Sequence, residues 1–159
     1  MNRNSSLEDI LKRVTADTLV LGVGNDIKGD DGIGPWIASQ LEGVCNAIDG
    51  TTVPEAFLPE IREIRPDMVL IVDAAKMDSK PGSIGVFRGK DVANIMFSTH
   101  TLPLSMLARY IEKEIGPPAY IIGIEPRSFG FGDRMSDEVA DAGKTLVDLI
   151  SHSAGERHG

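Results

Sequence analysis

Leu19–Trp36 reads LVLGVGNDIKGDDGIGPW, and the reading of this stretch decides the fold. Thr18 to Val23 is an almost unbroken apolar run, the pattern of a strand buried on both faces. Ile33, Ile37 and Leu41 then recur at four-residue spacing, which predicts a helix. Pro35 suits the first turn of that helix, where a missing N–H costs little. A strand, a glycine-rich turn and a helix in succession usually hold a phosphate. Here the dinucleotide pattern G-x-G-x-x-G keeps Gly22 and Gly24 but has Ile27 at its third position, and no G-K-[ST] follows. Asp30 and Asp31 sit where a pyrophosphate would lie and would repel it. The glycines are therefore expected to allow a sharp turn or a close approach, and the turn presents negative charge.

Outward from this stretch the same alternation continues. Leu7, Ile10, Leu11 and Val14 have helical spacing, with Ser5 or Ser6 as a cap, so residues 1–16 read as an N-terminal helical extension. Strands are predicted over Val44–Ile48, Met68–Val72 (ending at Asp73), Ser83–Phe87 and Ala119–Ile124. Helices are predicted around Phe57–Ile64, stopping before Pro66, then over Leu104–Ile115 and Val139–Ile150. Asp49–Glu55 reads as a loop, and residues 151–159 lack apolar periodicity and are expected to fray. No repeat or linker divides the chain, so residues 1–159 are expected to form a single α/β domain. Helix-containing connections imply a mostly parallel sheet of about five strands with helices on both faces. The 83–87 strand follows its predecessor closely and is expected at an edge, antiparallel.

Composition narrows the function. With 16 Lys+Arg against 24 Asp+Glu the formal charge is −8, and no basic cluster appears, which argues against nucleic acid. An acidic protein favours a cationic partner, including a metal ion. No run approaches a membrane span or a signal peptide. The single cysteine, Cys45, makes no internal disulfide, which points to the cytoplasm; within VCNAI it reads as a small apolar residue. The chain is compatible with a monomer.

In open α/β sheets, ligands gather beyond the carboxyl ends of the strands. The polar residues there are Asn25, Asp26, Asp30 and Asp31 after the first strand, Asp49, Thr51, Thr52 and Glu55 after the second, Asp73 at the end of the third, and Glu125 after the last. His100 lies in FSTHTLPL. One of Asp30 and Asp31 can cap the following helix, which leaves the other for a different task. Asp73 ends a buried strand and needs a partner, whether a backbone N–H, Lys76, a metal or a reacting group. Asp31, Asp73 and His100 can converge at one end of the sheet, and two carboxylates with an imidazole suit a divalent transition metal with open positions. Serine-hydrolase and H-E-x-x-H motifs are absent.

GVGNDIKGDDGIGP, IDGTTVPE, IVDAAKM and STHTLPL, in that order, resemble the nickel–iron hydrogenase maturation endopeptidases, from about Thr18 to about Ile150. The formate-hydrogenlyase-type branch is the nearest in pattern. The resemblance implies a three-layer α/β/α fold. It also implies an enzyme that cuts a short C-terminal extension from the large-subunit precursor after nickel insertion, just beyond a Cys-x-x-Cys-x-x-His/Arg motif. The family's metal ligands fall on Asp31, Asp73 and His100 here; relatives often carry a second glycine where this chain has Thr51. On this reading nickel, the substrate's own ion, is the metal engaged, and other divalent ions can occupy the site. The ion would anchor the peptide, polarise the scissile carbonyl or activate water, or else Asp73 or Asp31 would act as a general base, as in aspartic proteases. The alternative is a non-catalytic nickel-binding checkpoint or chaperone module for the immature subunit; a protease of the same fold with unrelated substrates is a further rival.

Overall fold

Alternate residues of each buried strand divide between two apolar layers, and that division sets the architecture. The structure, a computed structural model, describes residues 6–27, 29–98, 102–128 and 134–158. Its strands are β1 (Leu19–Gly22), β2 (Asn46–Asp49), β3 (Val69–Lys76), β4 (Ile84–Phe87), β5 (Met96–Phe97) and β6 (Ala119–Ile124). Its helices are α1 (Leu7–Leu11), α2 (Ile33–Gln40), α3 (Leu58–Ile64), α4 (Leu104–Tyr110) and α5 (Asp137–His158).

The sheet runs β2-β1-β3-β6-β4, with β5 attached to β3. β2, β1, β3 and β6 are parallel; β4 is antiparallel to β6 at the edge, as its short connection predicts. Val20, Leu70, Val72 and Ile122 meet α1, α2 and α5 through Ile10, Ile37 and Leu146. Leu19, Leu21, Ile71 and Ile121 meet α3 and α4 through Ile61, Leu104 and Leu107. Helices on both faces of a mostly parallel sheet are the expected class. Asp73 shares the parity of Val69, Ile71 and Ala75, so its side chain falls to the α3/α4 side.

Several boundaries differ from the sequence reading. The sheet has six strands rather than about five, because β5 pairs Phe97 with Ala75 and Met96 with Lys76, and two residues are too short to show a period. β3 runs on through Lys76 because Asp73 and Ala74 stay paired to Gly123 and Ile124. α4 ends at Tyr110 and continues as a π-turn over Ile111–Ile115, closed by Gly116 at φ +121°. α3 stops before Pro66, as expected, with Arg65 in the left-handed region at φ 55°.

The tail expected to fray is instead helix to His158. Its contacts use small residues that leave no apolar stripe: Ala154 is buried against the first core, and Ser153 Oγ donates to the Leu11 carbonyl. The N-terminal segment shares that core, since Ile10, Leu11 and Val14 pack into it and Ser6 caps α1 by accepting the Asp9 N–H. No helix among the described residues is long and apolar enough to cross a membrane.

Candidate active site

β1 leaves the sheet toward the α2 face, whereas the chain that follows β3 returns on the α4 face. The connections that leave these adjacent strands therefore part to opposite faces, and such a switch point is where α/β sheets bind ligands. The glycines of the opening stretch bring the acidic turn to that switch point. A Cβ on Gly22 would lie 2.1 Å from the Gly34 carbonyl oxygen, and one on Gly34 would lie 2.3 and 2.4 Å from the carbonyl oxygens of Val23 and Val72. Gly24, at φ +145°, lies so close to the next turn that its Cβ would sit 1.9 Å from the Asp31 carbonyl oxygen. These glycines seat the start of α2 and the 3₁₀ turn Gly29–Gly32 against two strands. They serve backbone packing, and the turn they create carries carboxylates.

Asp31, in that 3₁₀ turn, is 4% exposed, and Asp73, in β3, is 0% exposed. Ser98, just beyond β5, donates its N–H (2.9 Å) to one oxygen of Asp73 and its hydroxyl to the other. Burial pushes the Asp73 carboxyl well above the usual carboxylate range. The bonds from Ser98 and from the Ala74 N–H pull it partly back, and the nearby charge of Asp31 pushes it up further. The charge of Asp31 thus reaches Asp73. His100 lies outside the described residues. Among those described, no group of three His, Cys, Asp or Glu side chains is placed to hold a metal ion. A cation at two buried carboxylates would favour their ionised forms, so the donor chemistry suits a divalent ion.

Asp30 does not cap α2, whose N-cap Gly32 makes no side-chain bond. It is 4% exposed and accepts hydrogen bonds from the Arg127 N–H (2.8 Å), the Ser136 N–H (2.7 Å) and the Ser136 hydroxyl (3.0 Å). It therefore ties the Asp31-bearing turn to the end of β6 and the start of α5. Asp30→Asn has one acceptor oxygen where three donors converge, so it should lose about 1.5–3 kcal/mol, more than a lost cap. Chemical denaturation of the two proteins measures this directly, and a change within 0.5 kcal/mol (roughly the neutral range for surface sites) would contradict the tether.

Glu125 is also structural: its carboxylate accepts the N–H groups of Met77 (2.7 Å) and Ser79 (3.2 Å) and fixes the turn after β3. Asn25 accepts the Ile27 N–H and shapes the glycine turn. Asp49 accepts the Thr51 N–H (3.0 Å), holding a loop whose Thr51 carbonyl receives the Gly24 N–H (2.9 Å). Thr51 has φ 52°, a conformation costly for a β-branched residue and natural for glycine. This accounts for the second glycine of the resemblance at this position. Thr51→Gly should raise stability by about 0.5–1 kcal/mol, strain relief exceeding the added unfolded-chain entropy. A lowered melting temperature would refute that balance. Cys45 is only partly buried, and its thiol is pushed up to about 11 by burial and by the charge of Asp67, which disfavours the thiolate a nucleophile needs.

Sequence reasoning did not single out Ser98, Ser136 or the tethering role of Asp30. Ser98 acts through a two-residue strand, and the Asp30 partners lie 97 and 106 residues away in sequence. Neither leaves a local pattern.

A family model described as HycI, hydrogenase maturation protease, matches residues 38–153. The hydrogenase 3 maturation protease of Escherichia coli is 38% identical over 137 residues, covering 83% of this chain and 87% of that protein. The crystal structure of a NiFe hydrogenase maturation protease HycI from Thermococcus kodakarensis superposes with a TM-score of 0.82 at 27% identity, over 92% of this chain and 99% of that one. The solution structure of the endopeptidase HycI from Escherichia coli gives 0.76 at 35% identity, over 85% and 89%.

Proposed function

Because this chain belongs to the HycI family of hydrogenase maturation proteases, we propose that it removes a C-terminal extension from a nickel–iron hydrogenase large-subunit precursor once nickel is in place, in the cytoplasm. The observation that carries this reading is the buried pair Asp31 and Asp73, held at the switch point between β1 and β3 in a chain of a peptidase family. The nickel is substrate cargo. Asp31, Asp73 and His100 would engage it, so that recognition of the loaded precursor and alignment of the scissile peptide become one event. Ser98 holds Asp73 in a fixed orientation through both carboxylate oxygens, and Asp30 holds the turn of Asp31. The ion can anchor the peptide, polarise the carbonyl or activate water, and the raised affinity of Asp73 for protons also suits a general base.

The test is intact mass of a purified large-subunit precursor, loaded with nickel or not, before and after incubation with the protein. Loss of a C-terminal peptide from the loaded form alone is expected. A stable complex with no mass change in either form would replace the endopeptidase with a checkpoint module. Cutting of both forms would retain the peptidase and remove the nickel gate.

A further inference from the structure

Between β5 and the start of α4 lies a pocket of about 570 Å³ lined by Val92, Ile95, Met96, Phe97, Pro103 and Leu104, with Asn94 and Ser105 its polar contributors among the described residues. None of these side chains carries a charge, in a protein whose formal charge is −8. Phe97 is the residue before Ser98, and Ser98 is bonded to both oxygens of Asp73. The pocket wall is therefore one residue from a group that touches the carboxylate. Met96 is 54% exposed on that wall, so the uncharged lining is open to solvent on this side. β5 pairs with β3, and no other described strand pairs with it.

The geometry points to this pocket as a specificity subsite for the precursor, one that takes an uncharged apolar side chain within two or three residues of the scissile bond. This inference rests on the endopeptidase reading. A polypeptide held for cutting at Asp73 advances about 3.3–3.6 Å per residue when extended, so a side chain a few residues from the cut arrives at the Met96–Leu104 wall. An extended segment lying beside β5 would present alternate side chains to it, as in strand addition. An apolar occupant covers Met96, whereas a charged one would be desolvated without a partner.

The experiment uses the full-length protein and nickel-loaded precursor, with cleavage followed by mass across substrate concentrations. Met96→Asp changes an exposed residue; Asn94→Asp is a second variant, and its position at φ 71° tolerates aspartate. Both are expected to lower kcat/KM about tenfold or more through KM, and Met96→Leu to restore it. A set of precursors carrying lysine singly at the residues flanking the cut should include one that Met96→Asp cuts faster than the wild-type enzyme does. Wild-type enzyme that fails to cut any precursor would remove the endopeptidase reading itself. Wild-type enzyme that cuts, with both variants matching it on every precursor, would overturn the subsite alone. A loss confined to kcat with no lysine precursor rescued would overturn it too. So would self-association in sedimentation that Met96→Asp abolishes while cleavage is unchanged, since the pocket would then belong to a second copy of this chain.

Discussion

Asp73→Asn is expected to lower kcat/KM for precursor processing by about 10²–10⁴-fold, the range for loss of a positioned acid–base group, while the metal-free protein keeps its fold. Asparagine preserves both bonds to Ser98: its carbonyl oxygen can accept the Ser98 N–H, and its amide can donate to the Ser98 hydroxyl, which rotates to accept. What disappears is the ability to bind and release a proton. Burial raises the Asp73 carboxyl above its unfolded value, so between the ordinary carboxylate range and the raised value the folded protein holds a proton that the unfolded chain has released. Stability is therefore fully present at low pH and falls as pH rises through that window, with a slope of up to about 1.4 kcal/mol per pH unit. Asp73→Asn lacks this slope. Urea unfolding of both metal-free proteins from pH 4 to pH 8 should show the wild type losing stability relative to the variant. Parallel curves would mean that Asp73 is not strained by burial, and normal processing by the variant would remove it from the catalytic group.

Gly24→Ala should damage both fold and function. The new Cβ would lie 1.9 Å from the Asp31 carbonyl oxygen, at a backbone φ of +145° that alanine strongly disfavours. Overpacking and backbone strain together should cost about 3–5 kcal/mol. That is a large share of the roughly 5–15 kcal/mol that holds a domain together. If the variant folds, the turn must move away from β1, and Asp31 moves with it; a displacement of about 1 Å in a positioning group can cost ~10²-fold in rate. Gly43→Ala is the control. Gly43 also has positive φ, at +83°, but nothing lies within 4 Å of its added Cβ. It should lose only about 1–2 kcal/mol and process precursor normally. Equal melting temperatures for Gly24→Ala and the wild type would contradict the close approach. A stable Gly24→Ala enzyme with full activity would show that Asp31 need not be held where the turn places it.

The sequence alone determined the α/β class, the order of the long elements and the antiparallel edge strand. Buried strands are apolar throughout, helices repeat every three to four residues, and connections that contain helices impose parallel neighbours. It also placed Asp31 and Asp73 at one end of the sheet, because each follows a recognisable strand. The tertiary structure decided the features that depend on residues far apart in the chain. A residue of Gly24's kind signals freedom or proximity in sequence, and only the fold shows that it is pressed against the carbonyl of Asp31. Asp30 looks like a helix cap, yet its partners are Arg127 and Ser136. β5 is two residues long, and it exists because β3 offers it an edge; its neighbour Ser98 then reaches Asp73. The last helix runs past its apolar stripe because small residues pack on α1. Local periodicity encodes elements through burial on a face. Hydrogen bonds and steric contacts between distant segments have no period, so they appear only when the chain is folded.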